Sequence, residues 1–148
     1  MKKCLVITGM HRSHTSYVSQ CLKMAGLYLG DLLIEGNEFN QEGHFEDQGI
    51  VAFHEQLMTK YGLRNRWNGI NENLLQSIDY SNQDVEKAKK QITRLQEGEK
   101  DFGWKDPRGS LFLPFWHQHY PSNFYMFVIR NPVACVNSLI RRSKQNSN

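Results

Sequence analysis

What this sequence lacks narrows it first. No stretch approaches the ~18 consecutive apolar residues of a membrane-spanning helix, so no membrane partner is expected. The basic start Met1-Lys2-Lys3 leads into an apolar run that ends already at Gly9, too short for a secretory core, and no small-residue cleavage site follows. Cysteine is scarce: Cys4, Cys21 and Cys135 are far apart, odd in number and each set in an apolar pattern. With no CxxC and no zinc spacing they read as reduced core residues, and the expected compartment is the cytoplasm. A large excess of one charge is missing too. The net charge is +3 and the basic residues form no stripe, which argues against a nucleic-acid partner and leaves an anionic ligand open. Repeats and low-complexity segments are absent. At 148 residues, 39% hydrophobic and 22% charged, the chain fits one domain with a real core.

What is present alternates between strand and helix patterns. Cys4–Ile7 reads as a buried strand that stops at Thr8-Gly9. A helix follows from about His14 to Met24, with Tyr17, Val18, Cys21 and Leu22 as its apolar face and Gly26 as its cap. Residues 27–46 read as a long loop, with a short apolar turn at Leu32-Leu33-Ile34; loops of that length usually carry function. A second helix begins near Asp47 and runs through Ile50, Phe53, Leu57, Met58 and Tyr61 to Gly62, and residues 63–80 read as loop with some short helix. Ser81 or Asn82 caps an amphipathic helix whose apolar residues are Val85, Ala88, Ile92 and Leu95, with Lys87, Lys89 and Lys90 toward solvent. Phe102–Lys105 reads as a strand, and Ser110 as the cap of a brief helix from Leu111 to His119. Phe124–Ile129, apolar throughout, reads as a strand covered on both faces. Asn131 and Pro132 then open a helix through Val133, Val136, Leu139 and Ile140, and Ser143–Asn148 reads as a disordered tail. This order predicts an α/β three-layer sandwich around a central parallel sheet.

In such sheets ligands bind beyond the carboxyl ends of the strands. Three strand ends here carry polar or basic clusters: Gly9-Met10-His11-Arg12-Ser13, Lys105-Asp106-Pro107-Arg108 and Arg130-Asn131-Pro132. The first also feeds a helix N-terminus, whose unpaired N–H groups and dipole favour an anion. Arg12 adds a charge there, and Ser13, Thr15 and Ser16 add hydroxyl donors. Two chemistries compete for this loop. Set against the triphosphate pattern GxxxxGK[ST], Gly9 and Ser16 fit, but His14 replaces the second glycine and Thr15 the lysine that contacts the phosphates. A strand ending in a magnesium-holding Asp is also missing, since Asp106 runs at once into Pro107-Arg108. A kinase or NTPase is disfavoured on both counts.

Gly9-Met-His-Arg-Ser-His-Thr-Ser16 instead resembles the phosphosulfate loop, Gxx[RK]SxT[ST], of the sulfotransferase family. Arg130 to Ser138, an Arg at a strand end with a Ser eight residues on, resembles the family's 3′-phosphate segment. Asn40-Gln-Glu-Gly-His-Phe-Glu-Asp47 is similar to the N-x-x-G-x-x-E-D segment of bacterial sulfotransferase-like proteins, and Lys105-Asp-Pro-Arg108 to their K-D-P-R segment. The resemblance implies a P-loop NTPase-like topology. It implies transfer of a sulfuryl group from 3′-phosphoadenosine 5′-phosphosulfate to a hydroxyl or amine of a small molecule, carbohydrate or peptide. Residues 9–16 (Gly9, Met10, His11, Arg12, Ser13, His14, Thr15, Ser16) would hold the phosphosulfate and Arg130 and Ser138 the 3′-phosphate. With Arg12 and Lys105 as the cations that stabilise the leaving phosphate, no metal is required. The acceptor must lose a proton; Glu46 is the first choice of base, ahead of His44 and His11.

Two departures from the family carry expectations of their own. His14 stands where the family has glycine, and if that position needs φ > 0 the histidine carries strain. Family domains also continue past the serine-bearing helix, so their C-terminal part is absent from these 148 residues. Two other readings stay open: a nucleotide-binding module without transfer, and a nucleotide or sugar kinase with a divergent loop. Lys105 and Arg108 have a structural alternative, pairing with Asp106 or Asp101, and Glu46 and Asp47 could simply cap the helix after them.

Overall fold

In the computed structural model, which describes residues 3–36, 43–64, 70, 72–97, 101–121 and 123–145, the first apolar run forms β1 (Cys4–Thr8) at the centre of a three-stranded parallel sheet. β2 (Phe102–Lys105) pairs along one edge, Ile7 beside Lys105, and β3 (Asn123–Phe127) along the other, Thr8 beside Phe127. The elements run β1, α1 (Thr15–Met24), α2 (Gln48–Lys60), α3 (Glu72–Gln76), α4 (Asn82–Leu95), β2, a 3-10 helix (Pro107–Phe112), α5 (Leu113–His119), β3 and α6 (Pro132–Gln145). Parallel neighbours need crossovers, and the helices supply them. The chain is mixed α/β, as its alternation of patterns led us to expect. Among the described residues no helix is long and apolar enough to cross a membrane.

The two-residue period of β1 divides the core. Cys4 and Val6 join the larger cluster, with Phe102 and Trp104 of β2, Phe53 and Leu57 of α2, Ala88, Ile92 and Leu95 of α4, and Phe115 and Trp116 of α5. Ile7, with Leu5 packed beside it, belongs to a smaller cluster that includes Leu29, Phe45 and Leu22 of α1. Trp104, Phe115 and Trp116 are core residues, with the two indoles 5.0 Å apart. Each such side chain adds roughly 1.5–3 kcal/mol by leaving water. α4 has the expected start: Ser81 and Asp84 form a reciprocal capping box. Asp84 also receives Lys60 Nζ and the Tyr61 hydroxyl, both at 2.6 Å, which latches α2 to α4. Burial opposes ionisation of Asp84, but these donors and Ser81 outweigh it and bring its pKa down to about 2.

The structure corrects several expectations. β3 is not covered on both faces: it is an edge strand, and Phe124 and Phe127 are more than half exposed. Val133, Val136 and Ile140 of α6 are exposed beside it, so this flank has an uncovered apolar surface. α1 buries Thr15 and Ser19, while Tyr17 and Cys21 face outward. Small residues let its first turn approach the sheet, and that contact, not the apolar stripe, sets its rotation. Cys21 is therefore no core residue; Cys4 and Cys135 are, and burial pushes the Cys4 thiol up to about 12. Ser110 lies inside the 3-10 helix and donates to the Pro107 carbonyl at 2.8 Å; Asp106 is the cap instead. α6 continues to Gln145, so residues 143–145 are helical rather than tail. Asn131 Oδ1 caps that helix by accepting from Val133 N and Ala134 N, with Pro132 as its first residue. Residues 37–42, 65–69, 71 and 146–148, included in the readings above, lie outside the described residues.

Segment 27–36 and residues 43–47 are more ordered than a plain loop. Gly103 N donates to Tyr28 O at 2.8 Å, and Leu33 bridges Asp47. Ile34 N donates to Glu46 O at 2.8 Å and Gln48 N to Leu32 O at 2.9 Å. These bonds fix the backbone that carries Glu46.

Candidate functional site

The loop after β1 is held in a tight conformation. Gly9 has φ 154°, and a Cβ there would lie 2.3 Å from the Val128 carbonyl, so only glycine lets the end of β3 approach this closely. Arg12 and His14 both adopt left-handed backbone, φ 68° and 71°. The φ > 0 that position 14 would need if it stood in for the family glycine is present, and histidine bears it at a cost of roughly 1–2 kcal/mol. Ser13 is buried and spends both donors on Met10 O, from its N–H at 3.2 Å and its hydroxyl at 2.6 Å. Ser13 therefore closes the turn rather than offering a hydroxyl to a ligand. The first intrahelical bond of α1 runs from Val18 N to His14 O, so the N–H groups of Thr15, Ser16 and Tyr17 precede the helical ladder.

A cavity of about 200 Å³ opens before this helix end. His11, Arg12, His14, Thr15 and Ser16 of the loop line it, with His44, Glu46, Lys105 and Arg130. Gly9, Met10 and Ser13 do not; they border an apolar groove on the β3 side, with Arg130 shared between the two spaces. The expected clusters do converge. Arg12 Nε donates to Ser138 Oγ at 2.9 Å, and Arg130 Nη1 donates to the Arg12 carbonyl at 3.0 Å. The two segments expected to bind anions are thus in direct contact across 126 residues of sequence.

In the third cluster Lys105 and Asp106 are buried, Arg108 is half-buried, and all three side chains have partners. β2 alternation turns Trp104 into the larger core and Lys105 toward α1. Lys105, 2% exposed, donates from Nζ to Glu46 Oε1 at 2.6 Å, to His44 O at 3.1 Å and to Ser16 Oγ at 3.3 Å. Arg108 Nη2 donates to Glu46 Oε2 at 3.1 Å and Nη1 to Glu55 Oε1 at 3.0 Å. Its Nε spans both oxygens of Asp106, at 3.0 and 3.1 Å. The structural alternative for this cluster therefore applies to Arg108 with Asp106, while Lys105 pairs with Glu46; Asp101 accepts from Lys3 N instead. The acidic pair divides in the same way. Asp47 caps α2 by accepting from Ile50 N and also binds Arg94, whereas Glu46 faces the cavity.

His11 and His44 line the cavity with pKa values below the ordinary histidine range. For both, burial is the main cause, offset by the Glu46 carboxylate and reinforced by Lys105 and Arg108. Both are held toward the neutral, proton-accepting form.

Sequence reasoning missed Arg142, Tyr17 and His54. Arg142 and Tyr17 line the cavity. Arg142 stands four residues after Ser138, hence on the same face of α6, a spacing that signals its place. His54 follows Ile50 by four residues and shares its buried stripe; a polar residue among apolar ones was the available signal.

No protein-family model, curated protein or solved structure matches this chain.

Proposed function

We propose that the chain is a sulfotransferase-like domain, a three-layer sandwich of the P-loop type. It takes 3′-phosphoadenosine 5′-phosphosulfate as donor and passes the sulfuryl group to a hydroxyl or amine. The observation that carries this reading is the Arg12–Ser138 contact. It joins the loop that resembles a phosphosulfate cradle to the segment that resembles a 3′-phosphate site. A ligand with two anionic ends fits a cavity lined by Arg12, Arg130, Arg142 and Lys105 with one facing carboxylate, Glu46.

In this reading the first-turn N–H groups of α1, with Arg12, hold the phosphosulfate, and Arg130 with Ser138 holds the 3′-phosphate. Glu46 takes the acceptor proton as the acceptor oxygen or nitrogen bonds to sulfur. The bond from sulfur to the bridging phosphate oxygen breaks, and adenosine 3′,5′-bisphosphate leaves. Lys105 stabilises the charge that grows on the departing phosphate. Lys105 drawn to phosphate no longer shields Glu46 Oε1, which frees that oxygen for the proton. His11 and His44, held neutral, are the alternative bases.

Calorimetric titration with adenosine 3′,5′-bisphosphate tests this. The wild type should bind, and Arg12→Ala and Arg130→Ala should each weaken binding by about tenfold or more, since a charge-assisted bond contributes roughly 1.5–3 kcal/mol. No heat of binding in the wild type sinks the donor assignment. A second reading, binding without transfer, is favoured by Glu46 having both oxygens engaged; bisphosphate binding with no sulfate transfer to any acceptor would select it. Stabilisation by ATP–magnesium alone would select the kinase.

A further inference from the structure

His54 is fully buried, yet it has two polar partners. Trp116 Nε1 lies 2.9 Å from its Nε2, and Asp106 Oδ2 lies 2.8 Å from its Nδ1. An indole N–H only donates, so Nε2 of His54 must be the unprotonated, accepting nitrogen. The proton then sits on Nδ1 and is donated to Asp106. The ring is held in this orientation by Phe112, stacked at 5.2 Å and 15°, and by the edge of Trp104 at 5.3 Å. His54 thus acts on Asp106 as a hydrogen-bond donor of fixed direction. Burial opposes ionisation of Asp106, but the His54 bond and Arg108 hold its carboxyl below the usual range.

Asp106 in turn grips Arg108 through Nε and through its backbone N–H at 2.9 Å, leaving Nη2 to reach Glu46. An unbroken series of bonds therefore runs from Trp116 through His54, Asp106 and Arg108 to Glu46, Lys105 and Ser16 at the cavity. A guanidinium held on one side by a fixed carboxylate has a defined direction for its remaining donors. We infer that His54 is a positioning residue: by orienting Asp106 it sets Arg108, and through Arg108 it sets the Glu46 carboxylate against Lys105. Its effect on turnover rests on the sulfotransferase reading; its effect on Arg108 does not.

The test uses two substitutions of similar size. Asparagine puts its amide at the Nδ1 position and reaches Asp106 but not Trp116; glutamine puts its amide at the Nε2 position and reaches Trp116 but not Asp106. If His54 only fills and satisfies the core, His54→Asn and His54→Gln should behave alike. A positioning role separates them. By nitrogen-15 NMR the Arg108 Nε–H should stay protected from exchange in the wild type and in His54→Asn, and lose that protection in His54→Gln. For sulfate transfer, kcat should stay within about threefold of wild type in His54→Asn and fall by about tenfold or more in His54→Gln, with bisphosphate affinity unchanged in both. Equal Arg108 protection in the two variants overturns the inference, whether both keep it or both lose it. Should the wild type fail to bind the bisphosphate, the functional reading fails, and the Arg108 exchange measurement still decides the role of His54. If His54→Gln does not fold, His54→Leu, which fills the site but reaches neither partner, takes its place, with the same loss of Arg108 protection expected and its retention contradicting the inference.

Discussion

β1 has two neighbours in opposite surroundings. On the β2 flank Phe102, Trp104, Lys105 and Asp106 are all 2% exposed or less; on the β3 flank Phe124, Phe127 and Ile129 are 54%, 56% and 88% exposed. The candidate site straddles this divide. Its β2 half, Lys105 with Glu46 and Arg108, is fixed by buried partners that reach back to His54. Its β3 half, Arg130 and Ser138, is joined to the loop through Arg12, by one bond to its side chain and one to its carbonyl. Buried charges with every partner in place are pre-organised, which suits groups that must meet a transition state. An exposed flank suits reversible ligand binding. On the proposed function, the two halves of this three-stranded sheet do different work.

The largest expected contrast is in stability. Trp104→Ala should cost about 3–5 kcal/mol, a large share of a typical domain's stability, because it empties the larger core. Phe127→Ala on the exposed flank should cost at most about 1 kcal/mol. Urea denaturation compares them, and equal losses would erase the distinction between flanks. In function the order reverses by kind of effect. Lys105→Met should lower kcat for sulfate transfer by about 10²–10³-fold, the scale of losing one transition-state donor, with a smaller change in bisphosphate affinity. Ser138→Ala on the other flank should instead weaken bisphosphate binding by up to about tenfold and leave kcat nearly unchanged.

Smaller effects sharpen the loop that joins the halves. His14→Gly relieves a left-handed histidine but adds freedom to the unfolded chain, so a net gain of about 0.5 kcal/mol is expected, seen as a rise of about 1–4 °C in Tm. A loss there would mean that the histidine side chain holds the turn. His11 and His44 have folded-state pKa values below the unfolded value of about 6.5. Their contribution to stability is therefore complete above that pH and is lost as pH falls through the depressed values. Tm should decline between about pH 7 and 5, and His11→Asn should lessen the decline; an unaltered decline would remove His11 as its source.

Much of this was legible in sequence because it depends on local chemistry. The Ser81 cap, the Asn131-Pro132 helix start and the strand that feeds the Gly9 loop follow from neighbours in the chain. The convergence of Arg12, Lys105 and Arg130 followed from one topological rule about strand ends. What escaped depends on distant partners. Phe124–Ile129 looks alike in composition whether its strand is central or at an edge, so its exposure could not be read. Thr15 and Ser19 became the buried face of α1 because the loop geometry brings that helix end onto the sheet. Arg108 has donors enough for Asp106, Glu46 and Glu55 together, and only the fold reveals that it serves all three. His54 was hidden for the same reason: its partners lie 52 and 62 residues away.

On the proposed function, a loop cradle and a second anion site on the β3 flank together hold one nucleotide with two anionic groups. The most direct measurement is calorimetric titration of wild type and Arg130→Ala with adenosine 3′,5′-bisphosphate and with adenosine 5′-monophosphate. In the wild type, removing the 3′-phosphate should weaken binding by about tenfold or more, and in Arg130→Ala that difference should shrink to the share that Ser138 supplies. Equal affinity for both nucleotides in the wild type, or no binding of either, would contradict a second anion site on this flank.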